Sequence, residues 1–257
     1  MTSAPTRVRR FSSSAPVAWI AAGAGIAGQV AYPLLGGSPR AALTVITVVA
    51  FFVAVGVHAG WSLGPAAAAR ALATIAALSL AVEAVGLHTG VPFGRYSYTG
   101  PLGPRIAAVP VVVTLAWTTV AWLALQVGRR LAHSRAGVVG IGAATLTGWD
   151  VFLDPQLVAD GNWRWSHPHP ALPGMAGVPV SNVVGWLVVS VALIALFDRL
   201  VADVIIPQAI PATMLAWIYA SETLGNVAFF HRGGLAVLGG VALGACVIPY
   251  LLSLRSR

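Results

Sequence analysis

The sequence predicts an all-α, polytopic transmembrane helical bundle of about eight helices, with seven as the alternative number. Hydrophobic residues make up 58% and charged residues 9% of the 257-residue chain, which is far from the composition of a soluble domain. A helix needs about 20 apolar residues to cross the hydrocarbon core of a bilayer. The segments that meet or approach this length are 15–35, 41–61, 66–88, 106–127, 136–157, 180–201, 207–229 and 233–254.

The first and the seventh segments match this pattern least well. The first follows three arginines, but its apolar run is longer than the hydrophobic region of a typical signal peptide, so we interpret it as an uncleaved helix. The seventh carries Pro207 and Pro211 near its start and Glu222 inside. The second to sixth and the eighth are apolar runs with arginines near most of their ends.

The arginines predict the orientation of the bundle. With the N-terminus in the cytoplasm, ten of the fifteen arginines lie at the cytoplasmic end, as the positive-inside rule requires. Both termini are then cytoplasmic. No Gly/Ser linker divides the chain, so we expect a single integral-membrane domain over 1–257, with 1–14 as a disordered cytoplasmic N-terminus.

The composition also excludes or disfavours several classes of protein. All fifteen basic residues are Arg and none is Lys, so a retinal Schiff base, which needs a lysine amine, is excluded. The topology explains the net charge of +8 better than a nucleic-acid partner does. The single cysteine, Cys246, permits no intrachain disulfide.

Two carboxylates in an apolar segment are the strongest indication of function. The stretch GWDVFLDPQLV, residues 148–158, places Asp150 and Asp154 inside the fifth helix. Ionisable groups at membrane depth are costly and usually mark a functional site. At a spacing of four residues the two side chains share one helix face, about 40° apart. This arrangement predicts an acid/base pair, in which burial keeps one carboxyl group protonated.

Two further acids lie at a similar predicted depth. Glu83 is in the third helix and Glu222 in the seventh, each a few residues before the outer end. We therefore expect Glu83, Asp150, Asp154 and Glu222 to meet in one pocket in the outer half of the membrane. His58, in the second helix, is interpreted as a satisfied core or interfacial histidine.

Aromatic residues are concentrated in two Gly/Pro-rich loops at the same end, 89–105 and 159–179. They form either an interfacial aromatic belt or the mouth of an apolar substrate cavity. His167 and His169 are a weak metal signal, and no metal site is expected. The candidate substrate-binding residues are Phe93, Tyr96, Tyr98, Trp149, Trp163, Trp165, Asn182 and Trp186.

These loops and the aspartate helix between them resemble the membrane carotenoid-biosynthesis hydratases of CruF type. The matching stretches are PFGRYSYTGPLGPR with VPVVVTLAW (92–117) and GWDVFLDPQLVADGNWRW with GVPVSNVVGW (148–186). The segment SHPHPALPGMA departs from the Gly/Tyr-rich pattern of that family. The resemblance implies addition of water to the terminal carbon–carbon double bond of an acyclic carotenoid, which gives a tertiary alcohol.

The residues are compatible with this chemistry. Hydration of such an alkene starts with protonation by a positioned acid, and aromatic faces can stabilise the resulting carbocation. Asp150 or Asp154 would be the acid, the other aspartate with Glu83 would orient and deprotonate water, and Glu222 would support them. No cofactor is expected. The partners implied are an acyclic carotenoid such as lycopene, water, the lipid bilayer of the plasma membrane and other enzymes of the pathway.

Three alternatives stay open. A membrane prenyltransferase would use the aspartates for Mg²⁺ and a diphosphate, with Asp198 and Asp203 as a second cluster. A carotenoid end-group cyclase would start from the same protonation. A proton-coupled transporter would use the carboxylates as a relay.

Overall fold

The computed structural model describes residues 15–201 and 203–255. It contains eight α-helices: α1 (Ala15–Ala31), α2 (Gly37–Leu63), α3 (Pro65–Thr89), α4 (Val111–Leu131), α5 (Arg135–Ala159), α6 (Val180–Leu200), α7 (Ala209–Ala228) and α8 (Gly233–Ser253). Four short strands complete the fold: β1 (Tyr96–Tyr98), β2 (Arg105–Ile106), β3 (Val109–Pro110) and β4 (Trp163–Trp165). The expected disordered segment 1–14 lies outside the described residues.

The prediction of a polytopic helical bundle is confirmed. Seven of these helices are long and apolar enough to cross a membrane, and the eighth is α7, which contains Glu222. Large apolar side chains such as Val188 and Val241 are exposed on the outer helix faces, as expected where lipid replaces water. The segments 32–36, 90–110, 160–179 and 229–232 connect the helices at one end of the bundle, which we call the loop end.

Helices α4 and α5 form the centre of the bundle, where most residues of α4 are buried. Helix α5 packs against α4, α6 and α8. Small residues permit close approach of membrane helices, and a methyl group at Gly148 would lie 3.0 Å from the backbone of Leu243 on α8. The contact fixes α5 at the turn that carries Asp150.

The loop end contains β-structure that the sequence did not predict. Residues 106–110, expected to begin the fourth helix, instead belong to a hairpin in which β2 pairs with β3. Its turn residues Ala107 and Ala108 have positive φ values of 48° and 65°, a conformation that usually takes Asn or Gly. Because Ala-Ala gives no turn signal, the apolar residues around it resembled a helix. Helix α4 therefore begins at Val111.

The second strand pair joins two loops that are far apart in the chain. Strand β1 runs antiparallel to β4, with Tyr96 opposite Trp165 and Tyr98 opposite Trp163. Three residues on each strand are too few for a detectable alternating pattern. The pairing ties the loop after α3 to the loop after α5.

An ion pair fixes the opposite end of the bundle. Arg129 donates hydrogen bonds to Asp198 Oδ1 at 2.8 Å and to the Val201 carbonyl oxygen at 2.8 Å. We expect Arg129→Met to destabilise the protein by about 3 kcal/mol, because it leaves the buried Asp198 with only the exposed Arg135, 4.0 Å away, as a charge partner. Thermal unfolding in detergent measures this change, with Arg199→Met as the exposed control. An unchanged melting temperature in Arg129→Met would contradict the structural role.

Candidate active site

Three carboxyl groups lie together towards the loop end: Glu83 on α3, and Asp150 and Asp154 on α5. Each residue is at most 4% exposed. The aspartates are one helical turn apart and share a face of α5, and both interact electrostatically with Glu83. Burying a charge is costly unless it is paired or hydrogen-bonded. The cluster therefore depends on hydrogen-bond donors and on shared protons.

Two tyrosine hydroxyl groups donate hydrogen bonds to a single oxygen of Glu83. The Tyr96 and Tyr98 hydroxyl oxygens lie 2.5 Å and 2.7 Å from Glu83 Oε2. Burial first, and the neighbouring charge of Glu83 second, raise the pKa of Tyr96 and of Tyr98 above the ordinary value. Both phenols thus stay protonated as donors. Two donated hydrogen bonds make Glu83 the member of the cluster best able to carry a negative charge.

The two aspartates have different surroundings. The Asn182 side-chain amide donates a hydrogen bond to Asp154 Oδ2. Neither carboxyl oxygen of Asp150 has a donor among the described residues. Asp150 is within hydrogen-bonding reach of Asp154 when one of the two holds a proton. Since two adjacent buried charges repel each other, this geometry suits a pair that shares one proton.

Strands β1 and β4 cover the cluster with aromatic rings. Tyr96 stacks on Trp165 with ring centroids 5.5 Å apart, and Tyr98 meets Trp163 edge to face at 5.6 Å. The Trp165 indole donates a hydrogen bond to the Phe93 carbonyl oxygen at 3.0 Å. The strand pairing therefore excludes bulk water from the carboxyl groups and holds both phenols in place.

Phe93 packs behind this aromatic layer. Its ring lies between α3 and α6, where a methyl group at Gly86 or Gly185 would overlap it. It also stacks on Trp186 with centroids 4.4 Å apart. Phe93 was expected to contact substrate, but it does not line the space beside the carboxyl groups. It positions Trp186, which does.

Trp117 on α4 is a site residue that the sequence reasoning missed. Its indole stacks on Trp186 at a centroid distance of 3.5 Å and meets Trp149 edge to face at 5.5 Å. It lines the space beside the carboxyl groups together with Val113. The sequence could have placed Val113 and Trp117 on the same side of α4, because they are four residues apart in a helix.

Glu83 and Asp154 line a small cavity that we call the carboxyl pocket. Its volume is about 20 Å³, enough for one water molecule, which needs about 10–15 Å³. The Trp163 indole nitrogen at its edge has no hydrogen-bond partner among the described residues. The polar groups on its wall belong to Glu83, Tyr96, Tyr98, Asp154, Trp163 and Asn182. They can supply the two to four partners that a buried water requires.

Glu222 does not join this cluster. It lines a second space of about 350 Å³, the large cavity, which lies between α1, α2, α4, α5 and α7. Trp149 also faces the large cavity rather than the carboxyl pocket. The expectation that four carboxyl groups meet is therefore wrong for Glu222. Depth along a helix was predictable, but the direction in which α7 presents this side chain was not.

The histidines and the second acidic cluster also have defined places. His58 accepts a hydrogen bond from the Trp122 indole at 3.2 Å and contacts the Pro207 carbonyl oxygen at 2.9 Å, which confirms it as a satisfied core residue. His167 and His169 are separated by a half-buried proline and are exposed. Asp198 is at the opposite end, paired with Arg129. It cannot form a common diphosphate site with the aspartates of α5.

Removal of one phenol tests the hydrogen bonds to Glu83. We expect Tyr98→Phe to slow turnover about tenfold, because a hydrogen bond to a charged group contributes about 1.5–3 kcal/mol. The measurement is the rate of substrate conversion in reconstituted liposomes. Tyr219→Phe, on α7 and away from the carboxyl pocket, is the matched control. Equal rates for both variants would contradict a role for the Tyr98 hydroxyl.

Comparison with known proteins gives two matches. A family model described as carotenoid biosynthesis protein matches residues 43–252, a range that includes all the carboxyl groups discussed above. Bisanhydrobacterioruberin hydratase of Haloarcula japonica is 31% identical over 137 residues, which cover 51% of this chain and 45% of the relative. The match thus spans less than half the length of that curated relative. No solved structure matches the chain.

Proposed function

Because the chain belongs to the carotenoid biosynthesis protein family, we propose that it adds water to the terminal carbon–carbon double bond of an acyclic carotenoid. The product is a tertiary alcohol. One observation carries this proposal: Glu83 and Asp154 line a space for one water, Asp150 lies beside Asp154, and the three buried carboxyl groups differ in their hydrogen-bond donors. The name of the Haloarcula japonica relative, a hydratase, supports the same reaction.

The aspartate pair supplies the proton. Asp154 lines the carboxyl pocket, whereas Asp150 lies beside it and has no donor among the described residues. When the shared proton is on Asp154, Asp150 carries the negative charge of the pair, and Asp154 is the acid that faces the pocket. Transfer of this proton to the less substituted alkene carbon gives a tertiary carbocation. General acids positioned in this way accelerate reactions by about 10²–10⁴-fold.

Aromatic rings and Glu83 complete the reaction. The indole rings of Trp117 and Trp163, which line the carboxyl pocket, stabilise the cation electrostatically. Water held in the carboxyl pocket bonds to the cationic carbon, and Glu83 accepts the proton that this water releases. Return of the proton from Glu83 to the aspartate pair restores the starting state. The net change is the addition of one water, without oxidation or reduction.

The apolar helices indicate that the reaction takes place within a membrane. The protein is an integral membrane protein, and a carotenoid lies in the same bilayer. We place it in the plasma membrane as a single domain with cytoplasmic termini, working beside other enzymes of the pathway. The proposed steps use only side chains of this chain and call for no cofactor.

Product analysis in a lycopene-producing bacterial host tests the proposal. We expect a new carotenoid whose mass exceeds that of lycopene by one water per modified end. An isomer of unchanged mass would instead indicate cyclisation, and a gain of a five-carbon unit would indicate prenyl transfer. Unchanged lycopene and unchanged elongated carotenoids in the same host would contradict the proposal and favour transport.

A further inference from the structure

The carboxyl pocket is too small for the group that has to react there. Its volume of about 20 Å³ accepts one water molecule, whereas a branched alkene end has at least four carbon atoms around the double bond. The bulk of the substrate therefore lies elsewhere. Its reactive end must reach Asp154 through a wall of the pocket.

The large cavity lies directly behind one of these walls. Its volume of about 350 Å³ falls in the range of about 300–1,000 Å³ that is usual for ligand sites. The sides formed by α2, α4 and α5 are mainly apolar, with Val48, Ala116 and Leu157 among their residues. Such a lining matches a hydrocarbon chain.

A single side chain separates the two spaces. Among the described residues, Leu153 alone lines both the large cavity and the carboxyl pocket. It precedes Asp154 on α5 and is only partly buried, because it faces open space on both sides. Trp149, one turn earlier on the same face, lines the large cavity and contacts Trp117 of the carboxyl pocket.

We propose that the large cavity binds the isoprenoid chain of the substrate, and that Leu153 is the partition through which its reactive end reaches Asp154. This inference rests on the proposed function for the identity of the chain. A change of Leu153 rotamer moves the side chain into the large cavity or away from it, since leucine has more than one staggered conformation. The end group then lies against Asp154, with Trp149 and Trp117 beside it. Leu153 is thus a positioning residue that determines which end groups react.

Two kinds of substitution separate binding of the chain from access to the acid. Ala116→Phe fills the large cavity from α4, and Val48→Trp fills it from α2. Leu153→Trp thickens the partition and leaves most of the cavity open. Val241→Phe is the control for added bulk, because Val241 on α8 is 69% exposed. Thermal unfolding shows which variants are folded. If Ala116→Phe does not fold, Val48→Trp is used in its place.

The experiment measures retained pigment and product separately. Each full-length protein is purified from lycopene-producing cells. Total bound carotenoid per protein is measured by absorbance, and lycopene and its hydrated product are then separated by chromatography. We expect Ala116→Phe and Val48→Trp to retain at least about tenfold less carotenoid than the wild type. Leu153→Trp should retain carotenoid normally but form at least about tenfold less hydrated product. Val241→Phe should match the wild type in both.

The possible results distinguish this inference from the proposed function. Wild-type retention of carotenoid by a folded cavity variant would overturn the binding site, even if the wild type makes hydrated product. Normal product formation by Leu153→Trp would overturn the partition. Loss of pigment from the cavity variants, with no hydrated product from any protein, would support the binding site and contradict hydration.

Discussion

Asp150→Asn is expected to remove nearly all hydration activity and leave the fold intact or slightly stabilised. The Asp150 carboxyl has no donor among the described residues and lies beside Asp154. An asparagine amide at this place donates a hydrogen bond to Asp154 and holds it as a carboxylate, so the pair loses its transferable proton. Because a general acid contributes about 10²–10⁴-fold, we expect the rate to fall about 10³-fold.

The combination of lost activity and retained stability is specific to this mechanism. It is measured as the rate of product formation in liposomes and the melting temperature of the same preparation. Asp203→Asn is the matched control, since Asp203 is exposed between α6 and α7. Normal product from Asp150→Asn would remove Asp150 from the mechanism. A large loss of stability would instead indicate a structural carboxyl group.

Glu83→Gln is expected to reduce hydration about 10²-fold or more, because it removes the base that accepts a proton from water. The glutamine oxygen can still accept the hydrogen bonds that Tyr96 and Tyr98 donate to Glu83 Oε2. The loop structure should therefore persist. Substrate binding, measured as retained lycopene, should be unchanged.

Activity and melting temperature, measured together, separate a catalytic role of Glu83 from a structural one. If Glu83 only anchors the two tyrosines, Glu83→Gln should keep its activity, whereas Tyr96→Phe/Tyr98→Phe should lose stability. If Glu83 is the base, Glu83→Gln loses activity while its melting temperature stays close to that of the wild type. Activity within twofold of the Asp203→Asn control would contradict the assignment of Glu83 as the base.

The helices could be predicted from the sequence because the length of an apolar run directly reports a membrane-spanning segment. The predicted 136–157 and 180–201 correspond to Arg135–Ala159 and Val180–Leu200. The error at 106–110 arose because the Ala107–Ala108 turn has no compositional signature. The length of an apolar run and the position of a residue along it are local properties, and they could be predicted for that reason.

The arrangement of residues around the carboxyl pocket could be predicted only in part from the sequence. The spacing of Asp150 and Asp154 gave their common face, and their depth suggested Glu83 as a neighbour. The rotation of α7, which places Glu222 in the large cavity, depends on packing against several helices. The pairing of β1 with β4 is a contact between distant loops, so the covering of Glu83 by both tyrosines had no local signal. The same holds for Leu153, whose role depends on two cavities that exist only in the folded bundle.

The source of the added oxygen tests the central claim most directly. The purified protein, reconstituted in liposomes with lycopene, is incubated in H₂¹⁸O under air, and the product is analysed by mass spectrometry. Hydration predicts one heavy oxygen atom in each modified end, together with the two hydrogen atoms of the added water. A hydroxylated product that carries oxygen from air, or a product without added oxygen, would contradict acid-catalysed hydration by the carboxyl cluster.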